Sequence, residues 1–162
     1  MGISENKQVV HTFLDAGARG DLQMCYDQLA DDIAWTNIGR TRYSGTFTGK
    51  ADLIGKLVGP LFGQLTAGIA STIHNVIAEG DLVVVQSTGQ AMTTTGRPYN
   101  NTYCQVFTVR DGKIRTVTEY MDTAWLTRSS ECSESLCRRL GCVTQSSCAR
   151  NRYAQHFATS EE

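Results

Sequence analysis

The strongest constraint in this sequence is a change of hydrophobic period near residue 68. Beyond it, apolar and polar residues alternate through four long stretches at 69–78, 82–92, 99–109 and 113–121. Turn sequences separate them: Gly80-Asp81, Thr95-Gly96-Arg97-Pro98, and Asp111-Gly112, the last a strong hairpin signal. A period of two sends successive side chains to opposite faces, so these stretches predict a meander of antiparallel strands with one face buried.

Upstream, the period is helical. Ser4 can cap a helix carrying Val10, Phe13, Leu14 and Gly17 on one side. Gly20-Asp21 breaks it, and Asp21 can cap a second helix with Leu22, Cys25, Tyr26 and Leu29. A short strand is predicted around Ile33 and Trp35, then a loop or hairpin over 39–49. A third apolar stripe, Ile54, Leu57, Val58 and Leu61, predicts a helix that Pro60 ends or kinks. Helices first and a strand meander afterwards is the α+β pattern, with helices on one face of the sheet.

With 162 residues and a formal net charge of −1, the chain fits one domain. That near-neutral balance argues against nucleic-acid binding driven by bulk charge. No apolar run approaches a membrane span. The N-terminal residues carry charges where a signal peptide needs its apolar stretch, so a cytoplasmic location is expected. Composition divides the chain into a domain over 1–126 and a Cys-, Ser- and Arg-rich extension over 127–162. Cys132, Cys137, Cys142 and Cys148 follow one another at five, five and six positions, a poor match to the closely paired ligands of structural zinc sites, so no metal is expected. No glycine motif that cradles phosphate is present, and no cofactor is expected.

Two passages carry a resemblance to a known family. One spans 18–35 and contains Gly20-Asp21-Leu22 and Leu29-Ala30-Asp31-Asp32-Ile33 before Trp35; the other spans 96–122, from Gly96-Arg97-Pro98 to Met121-Asp122. They resemble the SnoaL-like polyketide cyclase branch of the nuclear transport factor two superfamily, which also holds ketosteroid isomerases and limonene-epoxide hydrolases. The likeness covers about residues 5–126. It implies a cone-shaped α+β fold, with a curved antiparallel or mixed sheet packed on three N-terminal helices. It also implies an apolar pocket and a homodimer formed through the sheets.

Residue by residue, the likeness is selective. Where ketosteroid isomerases place an Asp base, this chain has Asn37; their oxyanion Tyr and Asp fall on Phe13 and Gln105. An amide abstracts no proton and Phe donates no hydrogen bond, so ketosteroid isomerisation is disfavoured. Against the epoxide hydrolases, Asp122 and Asn37 match, Trp35 replaces a Tyr, and the Arg-x-Asp pair falls near Gln86 and Thr88. Epoxide hydrolysis is thus less favoured as well.

What remains is acid–base chemistry centred on Asp122, with His74 as an expected partner. Glu119 takes the place of Asp122 if a bulge shifts the register. Expected binding residues are Asn37, Trp35, Phe13, Gln86, Thr88, Tyr103, Gln105 and Phe107, with Tyr103, Gln105 and Phe107 on one strand face. The favoured expectation is an enzyme that isomerises, cyclises or dehydrates a small apolar carbonyl compound. The alternatives are a non-catalytic binding module and a dimeric scaffold of the same fold.

Overall fold

The computed structural model describes residues 2–123. Helix α1 runs from Ile3 to Arg19 and starts two residues earlier than a Ser4 cap would have it. Glu5 sets that start, its carboxylate accepting the Gly2 amide at 2.8 Å. Gly20, at φ 73°, closes the helix in the left-handed conformation that glycine adopts without steric penalty. Asp21 then caps α2 (Leu22–Asp27), its Oδ1 accepting the Met24 amide at 3.1 Å.

Strand β1 (Leu29–Asn37) is longer than the sequence pattern suggested, and β2 (Gly45–Thr48) pairs antiparallel with it, the hairpin alternative for 39–49. Neither departs from a simple cause. Asp31 and Asp32 face solvent and interrupt the apolar pattern without interrupting the strand. The third helical region comprises α3 (Lys50–Asp52), a π-helical stretch (Leu53–Val58) and α4 (Gly59–Phe62). Pro60 neither ends it nor breaks it sharply. The chain widens just before the proline, where the Gly59 amide returns to Ile54 O, five residues back.

Strands β3 (Ala70–Glu79), β4 (Leu82–Met92), β5 (Pro98–Arg110) and β6 (Lys113–Met121) form the meander. The sheet order is β2-β1-β6-β5-β4-β3, antiparallel throughout except for the parallel β1–β6 pair. The last strand thus returns to the centre beside the first. This brings Trp35 opposite Val117 and Asn37 opposite Glu119.

The inner face of the sheet and the helices share one core. Val10 of α1 and Leu53 and Leu57 of the third helical region pack with Ile33, Val83, Val85, Phe107, Val109 and Val117. Burying each such side chain contributes roughly 1.5–3 kcal/mol. Alternation along β5 is strict at Tyr99, Asn101 and Tyr103, all buried, with exposed Asn100 and Thr102 between them. Strand parity therefore decides which polar groups enter the interior.

Candidate functional site

The interior polar groups converge from three adjacent strands. Glu119 of β6 faces inward between Val117 and Met121, directly opposite Gln105 of β5. Gln105 Nε2 donates to Glu119 Oε1 at 2.8 Å. Glu119 is only 9% exposed. Burial pushes its carboxyl up from the ordinary 4.5 to about 7, against opposing hydrogen bonds from Gln105 and Trp35. The Trp35 indole N–H also donates to Asn37 Oδ1 at 2.9 Å, and Asn37 Nδ2 continues to the Tyr43 carbonyl at 3.1 Å. The indole N–H is thus hydrogen-bonded to Asn37 and, from beside Glu119, also favours the ionised carboxylate.

Aromatic rings border this carboxyl. Phe13 of α1 sits 6.0 Å from Trp35 and 6.1 Å, edge-on, from Phe107. Further along β5, the Tyr103 hydroxyl donates to that of Tyr99 at 2.9 Å, and Asn101 Nδ2 approaches the Tyr99 hydroxyl at 3.4 Å. Burial pushes both phenols up, and the nearby Glu119 charge adds to the shift in each. The Tyr43 hydroxyl, buried near Tyr99, accepts from Arg42 and Gln64.

A glycine makes room for this aromatic stack. Gly89 lies on the inner side of β4, and a Cβ there would fall 2.7 Å from Ile69 Cγ2 and 2.9 Å from Tyr103 Cε2. Only a residue without a side chain lets the Tyr103 ring lie against the sheet.

The structure gathers six of the expected residues, Phe13, Trp35, Asn37, Tyr103, Gln105 and Phe107, around Glu119 or beside it. Four others lie elsewhere. Asp122 follows β6 and is exposed; Asn101 grips its backbone, with Nδ2 donating to Asp122 O and Asp122 N donating to Asn101 Oδ1, both at 3.1 Å. With Val117, Glu119 and Met121 facing inward, the carboxylate at an even position falls outside the inward set. His74 is exposed on β3, where its Nε2 bonds Thr88 Oγ1 at 3.0 Å. Strands β3 and β6 are separated by β4 and β5, about 14 Å at the usual strand spacing, so His74 and Asp122 form no direct pair. Gln86 and Thr88 sit opposite Cys104 and Thr102 on the outer face, alternating with inward Val85 and Ser87.

The residues that sequence reasoning did not place here are Tyr99, Asn101 and Tyr43. Parity with Tyr103 is the signal that carries Tyr99 and Asn101. Tyr43 lies in a loop and has no such signal. Among the described residues, no three His, Cys, Asp or Glu side chains form a metal-binding group. No helix among them is long and apolar enough to cross a membrane.

Helices covering one side of a six-stranded, mostly antiparallel sheet, with polar groups buried between the layers, define the α+β fold of NTF2-like proteins. An NTF2-like protein of unknown function from Burkholderia pseudomallei K96243 superposes with a TM-score of 0.70 at 24% identity, over 79% of this chain and 97% of that one. A Jannaschia sp. CCS1 protein classed by likeness with the SnoaL-like polyketide cyclases gives a TM-score of 0.66 at 19% identity, over 80% of this chain and 94% of that one. TerC, co-crystallised with polyporic acid, gives 0.68 at 21% identity, over 76% and 96%. No curated protein sequence matches the chain. The family description of the SnoaL-like domain matches residues 10–117, well over half the sequence, and the chain belongs to that family.

Proposed function

We propose that this protein is an enzyme performing acid–base chemistry on a small, largely apolar carbonyl compound, with Glu119 moving the proton. One observation carries the reading: among the described residues one carboxyl, that of Glu119, is buried beside aromatic side chains, and burial raises its proton affinity to near neutrality. A general base works best when its pKa is close to the operating pH, because it is then both available and strong enough. Gln105 holds one carboxyl oxygen, and Trp35 supplies a second, shared donor. Phe13, Trp35 and Phe107 supply the apolar surroundings in which a neutral substrate displaces water. Isomerisation, aldol-type cyclisation and dehydration all begin with the proton transfer this arrangement favours. The SnoaL-like family and the small-molecule complex of TerC support the direction of this reading.

The test is proton exchange rather than full turnover. α-Tetralone incubated with the protein in deuterium oxide exchanges its acidic C–H, read by proton NMR. Glu119→Gln reduces the rate by at least about 100-fold, the usual worth of a general base. Asp122→Asn and His74→Ala leave it unchanged. Equal exchange by wild type and Glu119→Gln would overturn the assignment.

A non-catalytic binding module is the second reading, favoured by the amides Asn37 and Gln105, which stand where related enzymes carry acids. It is the outcome if α-tetralone binds and no exchange occurs. We also propose that two copies pair through the outer sheet face, where Ile77 is 60% and Tyr120 47% exposed.

A further inference from the structure

We propose that residues 53–63 form a hinged cover over the apolar interior, latched shut by the hydrogen bond between Gln64 and the Tyr43 hydroxyl, which opens while the rest of the fold stays closed. That a substrate uses this opening rests on the role proposed for Glu119; the opening itself does not.

The need for a moving part comes from burial. Glu119 is 9% exposed, and the neighbouring Trp35 and Phe107 are 8% and 0% exposed. A molecule reaches that carboxyl only if some part of the shell gives way. The sheet is held by its ladder, and α1 is an unbroken helix whose buried Asn6 donates to Gly80 O at 3.0 Å. Helix α2 is tied to β6 by Lys113 Nζ, which donates to Asp27 O. Among the described residues, no hydrogen bond or ion pair joins 53–63 to the sheet, to α1 or to α2. Apolar packing alone holds it down, chiefly through the buried Leu53 and Leu57.

The backbone of this segment is also the least rigid of the helical elements. Five of the twenty residues over 49–68 are glycine, and Pro60 brings no amide proton. The stretch Leu53–Val58 is π-helical, a geometry that recurs at functional sites. Its ends, by contrast, are pinned. Gly49 N donates to Ile33 O at 2.7 Å, and Lys50 meets Asp31 at 2.9 Å. At the other end Thr66 N donates to Met92 O at 2.8 Å, and Thr94 N donates to Gln64 O at 2.9 Å. A glycine-rich, apolar-faced segment fixed at both ends and free between them is built to open locally.

The latch connects the cover to the interior. Gln64 Nε2 donates both to Pro60 O, at 2.9 Å, and to the hydroxyl of the buried Tyr43. The Tyr43 carbonyl accepts from Asn37, and Asn37 Oδ1 accepts the Trp35 indole N–H. Leu53, Leu57, Trp35 and Phe107 belong to one apolar cluster, so lifting the two leucines uncovers the side of the interior that those rings line.

Hydrogen–deuterium exchange of the full chain, read by mass spectrometry, tests the opening without a ligand. Amides over 53–63 are expected to exchange at least about 10-fold faster than those over 7–16 in α1. Tyr43→Phe removes the latch and raises exchange over 53–63 by about 5- to 10-fold, the worth of one hydrogen bond, with β4 unchanged. Should that variant fail to fold, Gln64→Leu removes the other half of the latch and gives the same rise. Gly55→Ala, where a Cβ meets nothing within 4 Å, stiffens the cover and slows its exchange about 2- to 5-fold. Protection over 53–63 equal to that of α1, or exchange indifferent to both substitutions, overturns the proposal. The α-tetralone exchange rate at low ketone concentration follows the same order, fastest without the latch and slowest in Gly55→Ala. If the amides respond and α-tetralone exchange does not, the segment is no gate and the proposal falls. If the amides respond while no protein, wild type included, exchanges α-tetralone, the cover stands and the reading of Glu119 fails.

Discussion

Glu119→Gln should change how stability depends on pH, by an amount the structure fixes. In the folded chain the carboxyl holds its proton up to about pH 7, whereas an ordinary glutamate releases it near 4.5. That displacement is worth about 3 kcal/mol. The sign follows from linkage. Below pH 4.5 both folded and unfolded chains carry the proton and the group costs nothing. As pH rises from 4.5 to 7 the unfolded chain gives up the proton first, and the folded state loses stability progressively. Above about 7 the loss is complete, because the buried carboxylate must then be ionised in either state. A glutamine at 119 has no such equilibrium, and its carbonyl still accepts from Gln105. Urea unfolding at pH 5 and pH 8, for wild type and variant, isolates the effect, since every other titrating group cancels in the comparison. Wild type should lose about 2.5 kcal/mol more than Glu119→Gln between those pH values, part of the loss having occurred below pH 5. Parallel pH profiles for the two proteins would refute the burial of an ionisable group at this position. A steeper loss in the variant would refute the sign.

Two further outcomes test the surroundings. Gly89→Ala places a Cβ within 2.9 Å of the Tyr103 ring and 2.7 Å of Ile69. It should cost about 1–3 kcal/mol by thermal unfolding; an unchanged melting temperature would show the ring is not confined there. Ile77→Lys, on the outer face, should shift sedimentation equilibrium from dimer to monomer, and a wild-type monomer or an unaffected dimer would rule out pairing through that face.

The fold was legible because its two periods are strong and its turns carry the right residues. Gly80, Asp111 and Gly112 all adopt positive φ where the sequence placed hairpins. Strand β2 was less legible: four residues, Gly45–Thr48, give too short a run for alternation to register. In the site, parity along β5 correctly grouped Tyr103, Gln105 and Phe107. The same rule applied to β6 selects Glu119, whereas matching by a family landmark pointed to Asp122, three residues on and of opposite parity. His74 was harder to place. A register shift between Ile73 and Asn75 puts it on the outer face beside Asn75, and a bulge of that kind leaves no mark in the hydrophobic pattern.

The donor set around Glu119 explains why its proton affinity rests near neutrality. A carboxylate that accepts several strong hydrogen bonds stays ionised well below pH 4, and one that accepts none in a dry interior stays neutral far above 7. Here Gln105 gives one bond outright, and Trp35 gives a proton that Asn37 also claims. The carboxyl is therefore partly solvated by the protein, enough to ionise and too little to lose its basicity. Asn37 holds the indole in place, its Oδ1 accepting the indole N–H while its Nδ2 donates to the Tyr43 carbonyl. The resemblance to ketosteroid isomerases puts their Asp base at this position, where this chain has the neutral amide. An acid at that position would repel the charge on Glu119 across the β1–β6 pair and draw the indole proton away from it. With an amide at 37, Glu119 thus faces a neutral side chain across the β1–β6 pair.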